Sequence, residues 1–182
     1  IPNVLPILSQ QAYYHQDKNE FFLINKLKEA FAFWGFNEAY TYSMVSENEY
    51  EGPIESAVKL KNPLTEDHIY LRRTLISSLI GVARTNKNRE VLNLFEISNA
   101  YIKKSDSLPD ETQHLAVLIK DSNRNFYDAK GIVESVFEIL GVKKYKFIKK
   151  EDGFEGADIK IDGKNSGEIE IDEFICIEIN LE

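Results

Sequence analysis

The residues whose types and spacing could do chemistry fall into a few sets. Arg72, Arg73, Arg84, Lys87 and Arg89 form the one concentration of positive charge, which suits phosphate oxygens, and Lys103 and Lys104 extend it if their loop folds back. These five are candidate RNA contacts. A solvated basic face is the competing reading, because no aromatic residues interleave with them and no groove-reading motif is present. Glu168, Glu170 and Asp172 line one strand face and could suggest a metal; a solvated face is the reading their surroundings favour. His15, His68 and His114 lie far apart, without Cys, Asp or Glu at ligand spacing, so they read as structural or surface histidines and no metal site is expected. The single cysteine, Cys176, sits in an alternating strand pattern with no neighbouring base, which makes it a packed side chain and not a nucleophile. No G-x-S-x-G elbow, G-x-x-x-x-G-K loop or G-x-G-x-x-G loop occurs, so no catalytic residue and no nucleotide cradle is assigned.

The elements that position these residues follow from hydrophobic period. An extended lead-in is expected over Ile1 to Ile7, where Pro2 and Pro6 disfavour a helix. Asp17 and Glu20 have capping-box spacing, and Ile24, Leu27, Phe31 and Trp34 make one helical stripe that Gly35 ends. Phe22 and Phe33 fall on the opposite face of that helix and need a second partner. Glu38 to Val45 reads as a strand, as does Val58 to Lys61. Leu75 to Asn88 reads as a helix, within which Gly81 hints at the close approach of another backbone. Val91 to Ile97 is apolar on both faces apart from Asn93 and Glu96, as expected of the sheet centre. After a polar loop from Lys103 to Thr112 come a strand from His114 to Ile119 and a helix from Asn125 to Leu140. The isoleucines at 159, 161, 169, 171, 175, 177 and 179 then alternate with polar residues, the period of strands with one wet face. Asp162-Gly163 marks a hairpin turn between two of them. Long strands with three helices and no repeating β-α-β rhythm predict an α+β domain.

The bulk numbers agree. With 182 residues, 43% hydrophobic and 29% charged, the chain suits one globular domain with a real core. A net charge of -8 means that any contact with nucleic acid must be local. The lone cysteine fits a reducing cytoplasm, and no apolar run approaches the roughly 20 residues of a membrane span.

A family resemblance rests on Asn62-Pro63-Leu64, Leu71-Arg72, Leu75 to Leu79, Asn86 and Leu94-Phe95-Glu96-Ile97. It is strengthened by Trp34-Gly35-Phe36-Asn37-Glu38-Ala39 with Thr41-Tyr42-Ser43, and by Phe126-Tyr127-Asp128 with Lys130-Gly131. Together these resemble the synthetase-like core of the bacterial phenylalanyl-tRNA synthetase β chain. The resemblance implies a class II aminoacyl-tRNA synthetase-like antiparallel sheet flanked by helices, within a β chain that pairs with a catalytic α chain as an (αβ)2 assembly acting on tRNA. It makes Phe22 and Phe33 candidates for the subunit interface. ATP and magnesium are implied for the complete enzyme, with no cofactor held by this chain.

The departures bear on mechanism. Active class II enzymes place an arginine after the strand that ends in Phe or Tyr, because charge developing on phosphorus needs a fixed bidentate cation. Here Tyr101 is followed by Ile102, and no Gly-rich junction with a second arginine follows the last strand. Residues 1–182 are therefore expected to form a single non-catalytic core domain, a piece of a longer β chain that serves assembly. A stand-alone ATP-dependent ligase of this fold, which those two arginines would distinguish, and a generic α+β protein-binding domain are the alternatives.

Overall fold

A computed structural model describes residues 20–65, 67–105, 107–150 and 155–182; the expected lead-in, the Asp17 cap and His15 lie outside them. Two strands of eleven residues, β5 (Leu92–Ile102) and β6 (Asp110–Lys120), pair antiparallel along their whole length. Ahead of them in the chain come α1 (Glu20–Phe33), the short strands β1 (Asn37–Glu38), β2 (Met44–Val45), β3 (Val58–Lys59) and β4 (Tyr70–Leu71), and α2 (Ile76–Thr85). After them come α3 (Phe126–Leu140), β7 (Tyr145–Lys149), β8 (Glu155–Ile161), β9 (Lys164–Ile171) and β10 (Ile175–Asn180). The large sheet has the order β1-β5-β6-β10-β9-β8-β7, antiparallel except for the pairing of β1 with β5. A small sheet, β2-β4-β3, stands apart from it.

Each face of the large sheet is covered for a reason legible in its side chains. On one face Phe95, Ile97, Leu115, Val117, Ile159, Ile169, Ile177 and Ile179 pack under Leu27 and Phe31 of α1 and Val133, Val136 and Phe137 of α3. Helix α3 starts from a capping box in which Asn125 accepts from the Tyr127 amide and Asp128 accepts from the Asn125 amide, and Gly141 ends it. On the other face Leu92, Leu94, Ala116, Leu118 and Cys176 pack under Leu75, Leu79 and Ala83 of α2. The β8–β9 turn is formed by Asp162 at φ 48° and Gly163 at φ 84°, two positive values in succession that match the twist of a tight hairpin and that glycine adopts without strain.

Four expectations need correction. The segment from Glu38 to Val45 is not one strand, since only its ends pair and the middle is drawn off by a side-chain bond from Thr41 to Glu96. The sheet centre is β10, not the strand containing Val91 to Ile97, because three further strands continue beyond β10. The last strand has no wet face: Cys176 and Glu178 are as buried as the isoleucines between them, because α2 and its lead-in cover that side. Gly81 is exposed, and a Cβ there would meet nothing within 4 Å, so no other backbone approaches it.

Candidate functional site

The register of the large sheet builds the candidate site. Glu96 pairs with Ala116, Ala116 with Glu178, and Glu178 with Glu168, so three carboxylates cross one face in a single row. Like charges directly opposite one another repel, and each of the three is held by its own set of donors. Glu96 is 2% exposed and pairs with Arg72, which is 1% exposed, at 3.0 Å. Thr41 donates to Glu96 through its hydroxyl at 2.7 Å, and accepts from Arg72 Nη1 at 2.6 Å. The Nε of Arg72 donates to the Asn99 carbonyl at 3.1 Å, while its Nη2 has no partner among the described residues.

Glu178 sits where α2 begins. It accepts from the Thr74 hydroxyl and, at 3.1 Å, from the Leu75 amide, so a carboxylate meets the positive end of the helix dipole. Its Oε1 also lies 2.9 Å from Nδ1 of His114, whose other ring nitrogen is 3.0 Å from the Thr112 hydroxyl. Glu168 and its neighbour Glu170 share the ammonium of Lys150, at 2.6 Å from Glu168. Burial alone would lower the pKa of Lys150, but its hydrogen bonds to the two carboxylates, and their charge, more than offset that and raise it. Both carboxylates remain nearly half exposed, in keeping with the solvated-face reading, which lacked only their shared partner Lys150.

Thr74, His114, Glu168 and Glu178 line a cleft of about 430 Å³ together with Glu51, Arg73, Ile102 and Asn180 among others. At its mouth the Glu51 carboxyl is pushed above the ordinary carboxylate range, first by the packing around it and then by Glu178, Glu170 and Glu168, with Arg73 pulling the other way. Burial, followed by the charge of Glu170, Glu51, Glu178 and Asp172, pushes the Cys176 thiol up to about 12, so it stays protonated and unreactive. Among the described residues no group of three or more His, Cys, Asp or Glu is placed to hold a metal ion. Ile102 lines the cleft where a phosphate-gripping arginine would stand, and it offers no donor.

The five basic candidates do not come together. Arg72 is buried and committed to Glu96, which removes it from any surface contact with RNA. Arg73 is exposed at the start of α2, whereas Arg84, Lys87 and Arg89 lie near or beyond its end, about 15 Å away along a ten-residue helix. Arg84 pairs with Glu173 at 3.0 Å on the surface, and the carbonyls of Lys87 and Arg89 accept from Lys120. Phe22 and Phe33, by contrast, are 56% and 90% exposed, on the side of α1 away from the sheet. What sequence reasoning missed is the Glu178 network. Its signal was a lone carboxylate amid isoleucines, ten residues from its strand partner Glu168 but 104 from Thr74, with which it bonds.

A mostly antiparallel sheet with α1 and α3 on one face and a polar cleft beside α2 on the other is the fold of class II aminoacyl-tRNA synthetase catalytic domains. A pyrrolysyl-tRNA synthetase from Desulfitobacterium hafniense shares it with a TM-score of 0.74 at 14% identity, over 88% of this chain and 66% of that one. A second structure of pyrrolysyl-tRNA synthetase from the same organism gives 0.73 at 15% identity, with the same coverage. Within that class the chain belongs to the phenylalanyl-tRNA synthetase β-chain family, since the family model described as "Phenylalanyl tRNA synthetase beta chain CLM domain" matches residues 1–169. Curated phenylalanine–tRNA ligase β subunits agree. That of Carboxydothermus hydrogenoformans is 30% identical over 146 residues, 70% of this chain and 18% of the relative. That of Syntrophus aciditrophicus is 34% identical over 146 residues, 69% of this chain and again 18% of the relative. The chain thus spans about a fifth of the length of the relatives it matches, and no helix among its described residues is long and apolar enough to cross a membrane.

Proposed function

We propose that this domain is a non-catalytic assembly module of a phenylalanine–tRNA ligase β subunit, pairing with the catalytic α subunit in an (αβ)2 enzyme that aminoacylates tRNA in the cytoplasm. The observation that carries the reading is the outer face of α1. Phe22 and Phe33 are eleven residues apart, which returns them to nearly the same angle about 16 Å apart along the helix, and both rings stand in solvent. Exposed aromatic rings on one stripe of a helix whose other stripe packs into the core through Leu27 and Phe31 are the composition of an interface core. Lys26, between them, lies over the Phe22 ring at 5.0 Å and supplies a polar edge to the patch.

The test is co-purification with the cognate α chain. Phe22→Asp with Phe33→Asp is expected to abolish capture while leaving the far-ultraviolet circular dichroism and melting temperature of the chain unchanged. Capture at the wild-type level would sink the interface reading.

The second half of the proposal concerns chemistry. Position 102 itself, an isoleucine where the catalytic members of the class carry an arginine, offers no donor to a triphosphate. Phenylalanine-dependent exchange of pyrophosphate into ATP by this chain alone is expected to match a protein-free blank. Exchange clearly above that blank, abolished by heat denaturation, would overturn the non-catalytic assignment. ATP and magnesium then belong to the complete enzyme, as does contact with tRNA.

A further inference from the structure

Beside the acidic cleft lies a second one of opposite character. It has a volume of about 320 Å³ and is lined by Tyr50, Ser56, Arg73, Tyr101, Ile102, Lys103, Lys104 and Ser105. Three cations therefore line one small cavity in a chain whose net charge is -8. We propose that this cavity, at the turn end of the β5–β6 hairpin, is a binding site for a phosphate oxyanion. The inference stands apart from the assembly reading, since none of the lining residues belongs to α1.

The three cations differ in how far they are committed. Arg73 makes no hydrogen bond and no ion pair among the described residues, so its five N–H donors face solvent. Its place is fixed all the same. The Tyr101 amide donates to the Arg72 carbonyl at 2.9 Å, which ties the backbone beside Arg73 to the end of β5. Gly52, at φ 108°, leaves room for the guanidinium, because a Cβ at that position would come within 3.2 Å of Nη1. Lys103 gives one proton of its ammonium to the Glu55 carbonyl at 2.9 Å, which holds the head group over the cavity with two donors left. Lys104 pairs with Asp110, but both side chains are 49% exposed, so the pair is screened by water and gives way to a doubly charged oxyanion. An unpaired guanidinium on a tethered backbone, with one held and one exchangeable ammonium, is a donor set suited to phosphate.

Ile102 and Arg73 line both cavities, so an anion bound here meets one apolar side chain as well as the cations. Besides Asp110 on Lys104, the site faces the Glu51 carboxyl, which interacts with Arg73 across the neighbouring cleft. Neutralising Glu51 should therefore strengthen the site.

Fluorescence anisotropy of a labelled single-stranded RNA 12-mer, competed with ATP and with inorganic phosphate at low salt, tests this with the full chain. Arg73→Gln is expected to weaken binding about tenfold, the loss of one charge-assisted contact, and Lys103→Gln to lower the salt slope by about one. Glu51→Gln should tighten binding, while Arg84→Gln and Arg89→Gln should leave it unchanged. Arg73 is exposed and makes no internal bond, so its variant should melt with the wild type. Strong competition by ATP and phosphate would assign the anion to a free nucleotide, and weak competition would assign it to a polynucleotide backbone. Equal weakening by Arg73→Gln and Arg84→Gln, or no effect of Arg73→Gln on any of the three probes, would overturn the site. Neither result depends on capture of the α chain.

Discussion

Arg72→Met is expected to cost the fold about 3–5 kcal/mol, read as a shift in the urea midpoint, because it strands Glu96 as a buried and unpaired charge. Both members of this pair are almost wholly removed from water. The Thr41 hydroxyl can satisfy one oxygen of Glu96, and the Thr41 amide lies at 3.3 Å from the other, but neither brings a positive charge. The loss should reach beyond the pair. Arg72 Nε holds the Asn99 carbonyl and Nη1 holds Thr41, so one guanidinium joins the stretch after β1, the end of β4 and the middle of β5. Replacing both partners, as Arg72→Met with Glu96→Leu, should recover most of the loss, since an apolar pair of similar volume leaves no charge to be solvated. A single Arg72→Met variant within 1 kcal/mol of wild type would mean that water reaches Glu96, contrary to its burial. Against the 5–15 kcal/mol that holds a typical domain together, the expected loss is large enough to shift the folded population at 37 °C.

That pair also shows why part of the site was hidden in the sequence. Arg72 and Arg73 are adjacent and chemically identical, yet one is sealed under the small sheet and the other faces solvent. Alternation of side-chain direction in an extended segment guarantees that they differ, but not which one points inward. The decision is made by Glu96, a single carboxylate in an otherwise apolar strand, which needs a buried cation and finds the one that the small sheet brings to it. Helices α1 and α3, by contrast, were legible to within a residue or two, because the apolar stripes of both and the capping box of α3 are local signals. The Asp162-Gly163 hairpin was legible for the same reason.

The terminal strand illustrates the opposite case. Its period of two correctly gave the strand and wrongly gave the wet face, because alternation reports the polarity of side chains and not what lies over them. Glu178 is buried because Thr74, Leu75 and His114, from two distant parts of the chain, converge on its carboxylate. No local pattern encodes that convergence. It follows from strand order, which places β10 between β6 and β9 and brings the start of α2 across it.

Phe31→Ala is the second large effect expected, about 3–5 kcal/mol for a fully buried ring whose cavity the sheet cannot close. Phe31 stacks on Phe95 with centroids 4.7 Å apart and planes at 17°, and meets the edges of Trp34 at 5.1 Å and Phe36 at 5.3 Å. It is the ring through which α1 is fixed to β5. Two residues on, a rotation of about 200° carries Phe33 to the far side of the helix, where 90% of it is exposed and a substitution should change stability by no more than about 0.5 kcal/mol. The pair therefore separates folding from assembly within one helical turn. Phe31→Ala should lower the melting temperature and, by loosening α1, weaken capture of the α chain, with capture restored in part on cooling or in a stabilising osmolyte. Phe33→Asp should weaken capture at every temperature with no change in melting. If Phe31→Ala left the melting temperature alone, α1 would not be part of the domain's cooperative core. If Phe33→Asp lowered it, the outer face would be packed by this chain itself, and its two aromatic rings would no longer require a partner.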